Sequence, residues 1–234
     1  AKLDLICRKL ELRPGMRLLD IGCGWGSLMG FAARHYGVSC VGLTIARQQF
    51  ESAAQRMDGL PVEVRHGDYR GFNPDGREKF DRVASVGMFE HVGYRNHAAF
   101  FDMVRRSLGK EGLLLLHTIG KNQRGHATDA WIDRYIFPGG ELPTLTEIAR
   151  GSEDRLVIED VHNFGADYDR TLLAWHARFE AAWPRFAASY GERFHRMWRY
   201  YLLSCAGAFR ARTTQLWQLV LSPLGVEGGY RRPT

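Results

Sequence analysis

The chain is short of the features that settle a role at a glance. None of its apolar runs approaches the roughly 20 residues that a helix needs to cross a bilayer, so no membrane-spanning helix is expected in these 234 residues. Cysteine is scarce: Cys7, Cys23, Cys40 and Cys205 stand far apart and form no C-x-x-C pair. That spacing argues against a zinc ribbon or a disulfide framework and suits reduced thiols in a cytosol. Histidine is present without H-E-x-x-H, so no metal motif is read. Internal repeats, low-complexity tracts and a linker are missing, which makes one domain over residues 1–234 the economical organisation. A signal peptide is missing too: AKLDLICRKLEL has the spacing of an amphipathic helix. The first residue is not Met, so the sequence reads as a piece of a longer or processed protein.

Charge is what the chain has in excess. The net charge of +6 admits nucleic acid, an anionic membrane or an acidic substrate as partner. The positive residues are dispersed, with clusters at Arg105–Arg106 and in RFHRMWRYY, and no nucleic-acid module accompanies them. A solvated basic surface is the plain alternative, and nucleic acid is not expected.

LLDIGCGWGSL holds the densest local signal. LLDI reads as a short buried strand. Gly22, Gly24 and Gly26 let the backbone turn sharply and leave room for a ligand. SLMGFAARHY then places Leu28, Phe31, Ala32 and Tyr36 on one helical face. A ligand at such a strand–loop–helix unit meets free backbone N–H groups at the C-terminal edge of a parallel sheet. The spacing is G-x-G-x-G, not the dinucleotide G-x-G-x-x-G, and Asp20 precedes it. An acid there suits a cationic ligand without phosphates, and S-adenosylmethionine fits; an unliganded glycine turn is equally compatible with this motif alone.

The rest of the chain alternates. Strands are expected over 16–21, 38–43, in 61–68, at the start of 81–93 and over 111–120. Helices are expected over 1–11, 25–36, 45–57 and 97–108. This rhythm predicts an α/β, doubly wound, Rossmann-like parallel sheet. Residues 121–150 break it: KNQRGHATD is polar and flexible, and the aromatic, Pro- and Gly-containing stretch after it predicts a lid or substrate wall. A strand in 154–165, helices over 168–201 interrupted near Pro184 and Gly191, and a strand over 213–221 complete the chain. Thr44, Ile45 and Gln49 follow the second strand, where a ribose or amino-acid moiety is met. No ribose-binding acid stands there, so Gln49 is expected to supply polar contacts. Asp68 and Tyr69 follow the third strand and are expected to flank an adenine. Cys23 and Trp25 line the glycine loop; no base stands near Cys23 to make it a nucleophile.

GCGWG, VGMFEHVG, LLHTIG, YIFPGGELP, HNFGADYDRTLLAW and CAGAFRA together resemble the cyclopropane-fatty-acyl-phospholipid synthases, over residues 1 to about 222. The likeness is to the bacterial phospholipid-modifying branch. It implies a class I S-adenosylmethionine-dependent methyltransferase fold. It also implies transfer of a methylene unit to a cis double bond of a phospholipid acyl chain. It further implies that Glu90, His117 and Tyr168 by side chain, and Ile119 by backbone, hold a bicarbonate ion that removes the proton. From placement alone the three side chains arrive at neighbouring strand ends. Each alone also reads as ordinary: Glu90 as a helix-start acid, His117 as a core histidine, Tyr168 as a packed aromatic.

Such chemistry needs near-attack geometry, exclusion of water and stabilisation of a cation by aromatic faces or fixed charge. Trp131, Tyr135, Phe137 and Trp175 are candidates for an acyl channel, or for core. The implied partners are unsaturated phospholipid and a membrane surface, with the protein cytoplasmic and peripheral at the inner face; a homodimer is admitted. Family members carry an N-terminal domain and a Tyr-Ser-Cys motif before the first helix. Cys7 is not its equivalent, so weak or no turnover is expected of residues 1–234 alone. The readings left open are an acyl-chain or small-amine methyltransferase and a non-catalytic lipid- or nucleic-acid-binding module.

Overall fold

Short runs of Leu, Ile and Val bounded by glycine turns form the strands, and the amphipathic stretches between them form the helices. The computed structural model describes residues 1–72, 79–123, 125 and 129–233. Of the polar segment 121–129, residues 124 and 126–128 lie outside the described residues. The first half runs α1 (Lys2–Lys9), β1 (Arg17–Ile21), α2 (Ser27–Tyr36), β2 (Ser39–Thr44), α3 (Arg47–Arg56), β3 (Val62–His66), β4 (Phe80–Val86), α4 (His97–Ser107) and β5 (Leu108–Lys121). The second half runs α5 (Ala130–Tyr135), α6 (Leu145–Ser152), β6 (Val157–Asn163), α7 (Gly165–Ala182), α8 (Ala187–Arg210) and β7 (Thr214–Ser222).

The strands form one sheet in the order β3-β2-β1-β4-β5-β7-β6. Side chains alternate between its faces with the period of a strand. Leu18, Leu113, Leu115 and Val220 face α1 and α2. Leu19, Leu114, Leu116 and Leu219 face the other way, toward Phe100 and Phe101 of α4 and Ile148 of α6. Full burial of each of these side chains contributes about 1.5–3 kcal/mol.

Two expectations are corrected. The sheet is mixed, not wholly parallel: β7 runs antiparallel to both β5 and β6. The cause is the helical hairpin between β6 and β7. The end of α8 returns to the start of α7, where Arg210 pairs with Asp169 at 3.2 Å and Phe209 meets the Tyr168 ring. The chain therefore re-enters the sheet at the edge it left, and β7 must run downward. The hairpin has its own small core of Leu172, Leu202, Ala206 and Phe209, joined by Leu216 of β7.

The second correction concerns residues 121–150. Part of that insertion is not a lid. Thr144 and Glu147 make a reciprocal capping box, and α6 then buries Ile148 against the α4 side of the sheet. What stays at the C-terminal edge is α5 and the turn after it. That turn is tied down by Glu141 N–H donating to Glu90 O at 2.7 Å and by Lys121 N–H donating to Pro143 O at 2.9 Å. The larger cover over this edge is α7 and α8. Their breaks fall where Pro184 sits in a short turn and where Gly191 takes φ 71°, a backbone region that favours glycine.

Candidate active site

The glycine loop closes through its backbone. The N–H groups of Gly22 and Cys23 both donate to Leu43 O at 2.9 Å, which binds the loop to the end of β2. Gly22, Gly24 and Gly26 have φ of 79°, 55° and 79°. A Cβ on Gly22 would lie 2.6 Å from Met88 Cγ, so this loop touches the turn that carries Glu90. A Cβ on Gly24 would meet nothing within 4 Å, so there is open space beside the loop there. No side chain caps α2, which begins directly after Gly26. Asp20 is 2% exposed at the root of the loop. Burial raises its carboxyl to about 7. Cys23 is buried and its thiol is pushed up to about 12, first by desolvation and then by Asp20, so it is inert as a nucleophile.

Trp25 and Ile45, 49% and 73% exposed, are large apolar groups left bare beside this loop. Thr44 donates to Gln49 Oε1 at 2.8 Å and accepts from Ala46 N–H at 3.2 Å, which fixes the turn after β2. Ile45 O lies 3.1 Å from His66 Nε2 at the end of β3. Tyr69 packs edge-on against Phe100 at 5.6 Å. Asp68 caps the turn after β3 and is paired with Arg70 at 2.6 Å.

Glu90, Ile119 and Tyr168 meet in one cleft of about 510 Å³ at the C-terminal edge. Glu90 stands in a short turn after β4 and is buried. Its Oε1 accepts from the Ile119 N–H at 2.6 Å, and its Oε2 has no hydrogen-bond partner among the described residues. Burial pushes its carboxyl above the usual range, opposed in part by the backbone N–H groups and by Thr118. Tyr168, in the first turn of α7, is held at about 12 by desolvation and by the Glu90 charge, so it stays a hydroxyl.

His117 is buried on β5, two residues before Ile119, with Nδ1 3.1 Å from Gln218 Nε2. Desolvation, helped by Lys2 and Lys9, lowers its imidazole to about 3, so the ring is neutral.

Phe137 of the expected acyl channel lines the cleft, together with Ile132, Leu142 and Leu172. Trp131 stands against Tyr200 at 4.6 Å with Tyr135 beside it, and Trp175 packs on Tyr168 at 5.9 Å. Sequence reasoning missed Tyr201, Cys205 and Phe209, which α8 contributes to the wall. Their spacing of four residues is a helical stripe, and CAGAFRA contains two of them, but a stripe facing a cleft has the same pattern as one facing a core. Gln218 was missed as well.

Residues 1–219 match the family described as mycolic acid cyclopropane synthetase. The chain is 55% identical over 231 residues to the cyclopropane-fatty-acyl-phospholipid synthase of Escherichia coli strain K12, covering 99% of this chain and 59% of that protein. It thus spans about three fifths of that relative's length. Among solved structures, the cyclopropane synthase MmaA2 of Mycobacterium tuberculosis superposes with a TM-score of 0.86 at 33% identity, over 94% of this chain and 82% of that one. The mycolic acid cyclopropane synthase CmaA1, solved with SAH and CTAB, gives 0.85 at 30% identity, over 94% and 82%. The sheet order and the glycine loop after β1 are those of a Rossmann-like class I methyltransferase fold. The chain belongs to the mycolic acid cyclopropane synthetase family.

Proposed function

We propose that this chain is the S-adenosylmethionine-dependent catalytic part of an enzyme that cyclopropanates cis double bonds in phospholipid acyl chains. The observation that carries the reading is Glu90: a buried carboxylate with one bound and one unpartnered oxygen, set in a largely apolar cleft beside the glycine loop. The open space at Gly24, the bare Trp25 and Ile45 and the buried Asp20 fit a ligand with a planar ring and a cationic head. Asp20, the loop of Gly22, Cys23, Gly24, Trp25 and Gly26, and Thr44, Ile45, Gln49 and Tyr69 would hold it; Asp68 would do so through the turn it caps. S-adenosylmethionine bound there would supply the methyl carbon.

The unpartnered Glu90 oxygen also fits a small oxyanion that carries a hydroxyl, because that O–H is the donor it lacks. Bicarbonate held by Glu90, Tyr168, His117 and the Ile119 backbone would supply the proton acceptor. The Ile119 N–H is already committed to Glu90, so the backbone there orients the carboxylate as well.

The chain's own groups would do the rest. Tyr168 keeps its proton and donates. The neutral His117 adds no positive charge beside a developing cation. The faces of Tyr201 and Phe209 stabilise that cation, each by up to about 2 kcal/mol in a desolvated site. The hairpin and α5 keep water away from it.

The substrate would come from a bilayer at the cytoplasmic face of a membrane. Arg193, Arg196 and Arg199 stand exposed along α8. Tyr190, Tyr200 and Leu203 stand exposed beside them, and Tyr200 reaches the cleft mouth. Cations interleaved with aromatic and aliphatic groups at the mouth of an apolar cleft match an anionic lipid surface.

The test is fatty-acid analysis after incubation with S-adenosylmethionine and vesicles of monounsaturated phospholipid, alone and joined to the upstream part that longer relatives carry. A cyclopropane product abolished by Glu90→Ala is expected. A methyl-branched product, or a methylated amine with unchanged lipid, would replace this reading with a different methyl transfer.

A further inference from the structure

Gln218 lies outside every motif named above, yet among the described residues it makes the only hydrogen bond of the His117 side chain. The antiparallel register sets the two residues directly opposite, His117 on β5 and Gln218 on β7. Directly paired residues project from the same face of a sheet. Both are buried, at 6% and 2% exposure. This pairing exists because β7 runs against β5, a direction imposed by the helical hairpin.

We infer that Gln218 is a positioning residue that fixes His117 as the neutral tautomer carrying its proton on Nε2, and so makes it a hydrogen-bond donor and not a base. The inference rests on the reading that His117 serves the proposed site.

The Gln218 amide N–H donates to His117 Nδ1, and Gln218 Oε1 is buried without a partner among the described residues. The reverse orientation would let Oε1 accept from an Nδ1–H. It would also strand an NH2 with two donors in the same place. Orphaned buried N–H groups are rarer than under-satisfied carbonyls, so the orientation with Nε2 toward His117 is preferred. An unprotonated Nδ1 leaves the proton of the neutral ring on Nε2.

The surroundings oppose a second proton. His162 on β6 is paired in register with the other side of Gln218, and its Nδ1 lies 3.0 Å from Lys9 Nζ. Lys2 and Lys9 of α1 both act against a charge on His117. A histidine backed by a carboxylate is stabilised as an imidazolium and can take a proton during a reaction. A histidine backed by an amide donor among lysines cannot do so cheaply. His117 is therefore equipped to donate to an oxyanion, and the proton released in the proposed reaction has to go elsewhere.

The experiment is long-range ¹H–¹⁵N correlation on protein labelled at histidine nitrogen, with the His117 signals assigned by their loss in His117→Asn. The expected spectrum shows Nδ1 as a bare acceptor nitrogen and Nε2 as a protonated one, unchanged between pH 8 and pH 6. In Gln218→Glu the carboxylate accepts, and Nδ1 becomes protonated. Gln218→Met, of similar volume, releases the ring to a mixture of tautomers and serves if the Glu variant does not fold. In folded Gln218→Glu, kcat falls about tenfold or more with KM for lipid held, the loss expected when an orienting partner is removed. A proton on Nδ1 in the unaltered protein, or a tautomer indifferent to both substitutions, overturns the inference. Wild-type turnover in His117→Asn would instead remove His117 from the proposed site while leaving the tautomer result standing.

Discussion

Replacing Gly22 and Gly24 by alanine, one at a time, separates what the loop needs for folding from what it needs for binding. Both have positive φ, 79° and 55°, and an L-residue in that region costs about 1–2 kcal/mol. They differ in what the new methyl meets. At Gly22 it falls 2.6 Å from Met88 Cγ and 2.7 Å from Met88 Cβ. Met88 cannot swing away from its own Cβ, so the turn that carries Glu90 must shift, an overpacking cost of about 1–3 kcal/mol. At Gly24 the methyl meets nothing within 4 Å. Gly22→Ala should therefore lose about 2–5 kcal/mol in all and Gly24→Ala about 1–2. In a chain of this length each kcal/mol lowers Tm by roughly 2–4 °C. Urea and thermal unfolding measure these losses, and calorimetry measures S-adenosylmethionine binding to each variant. Gly24→Ala should keep most of its stability and lose binding, because its methyl would stand where the proposed ligand approaches the loop. Equal destabilisation by the two substitutions, or full affinity in Gly24→Ala, would refute the reasoning.

Three further outcomes follow from charge and burial. Because burial lifts Asp20 from 3.8 to about 7, the stability of its neutral form is whole below pH 3.8 and lost as pH rises through 7. A cationic ligand reverses that shift, so binding near pH 7 should release protons, read by calorimetry in buffers of different ionisation enthalpy; Asp20→Asn should abolish the release. His117 is lowered from 6.5 to about 3, so its contribution is present above pH 6.5 and lost as pH falls toward 3. His117→Asn should flatten that acid limb of the stability profile, and an unchanged limb would assign it to other groups. Changing Arg193, Arg196 and Arg199 to Glu should weaken binding to vesicles rich in anionic lipid by on the order of a hundredfold or more, at about 1 kcal/mol per cation near the surface. Unaltered vesicle binding would move the membrane face elsewhere.

Local chemistry made much of the fold legible. GCGWG could only be a turn, the Leu-rich runs could only be buried, and the helices announced themselves by spacing. The direction of β7 was not legible, because TTQLWQLVL reads as a strand either way up. What decides it is whether α7 and α8 return along the sheet or stand on its edge, and that depends on a hairpin core formed from residues distant in sequence. For the same reason the start of α6 falls within the expected lid or substrate wall of residues 121–150: its Ile148 finds a core only once α4 is in place.

At the candidate site, the strand ends after β4, β5 and β6 indicated where Glu90, Ile119 and Tyr168 would meet. The cleft walls from α8 were hidden in a stripe with the pattern of a core. Gln218 was hidden further. A polar residue in an alternating strand reads as solvent-facing, and only the register with β5 makes it a buried partner of His117.

In the proposed reaction a methyl carbon is added to a lipid double bond and then gives up a proton as a ring closes. The most direct measurement supplies S-adenosylmethionine with a trideuterated methyl to the protein and monounsaturated phospholipid vesicles, and fragments the fatty acids released. The expected product has a ring carbon that retains two of the three deuterium atoms, and Glu90→Ala yields no such product. A methyl branch that keeps all three, or lipid without label, would contradict it.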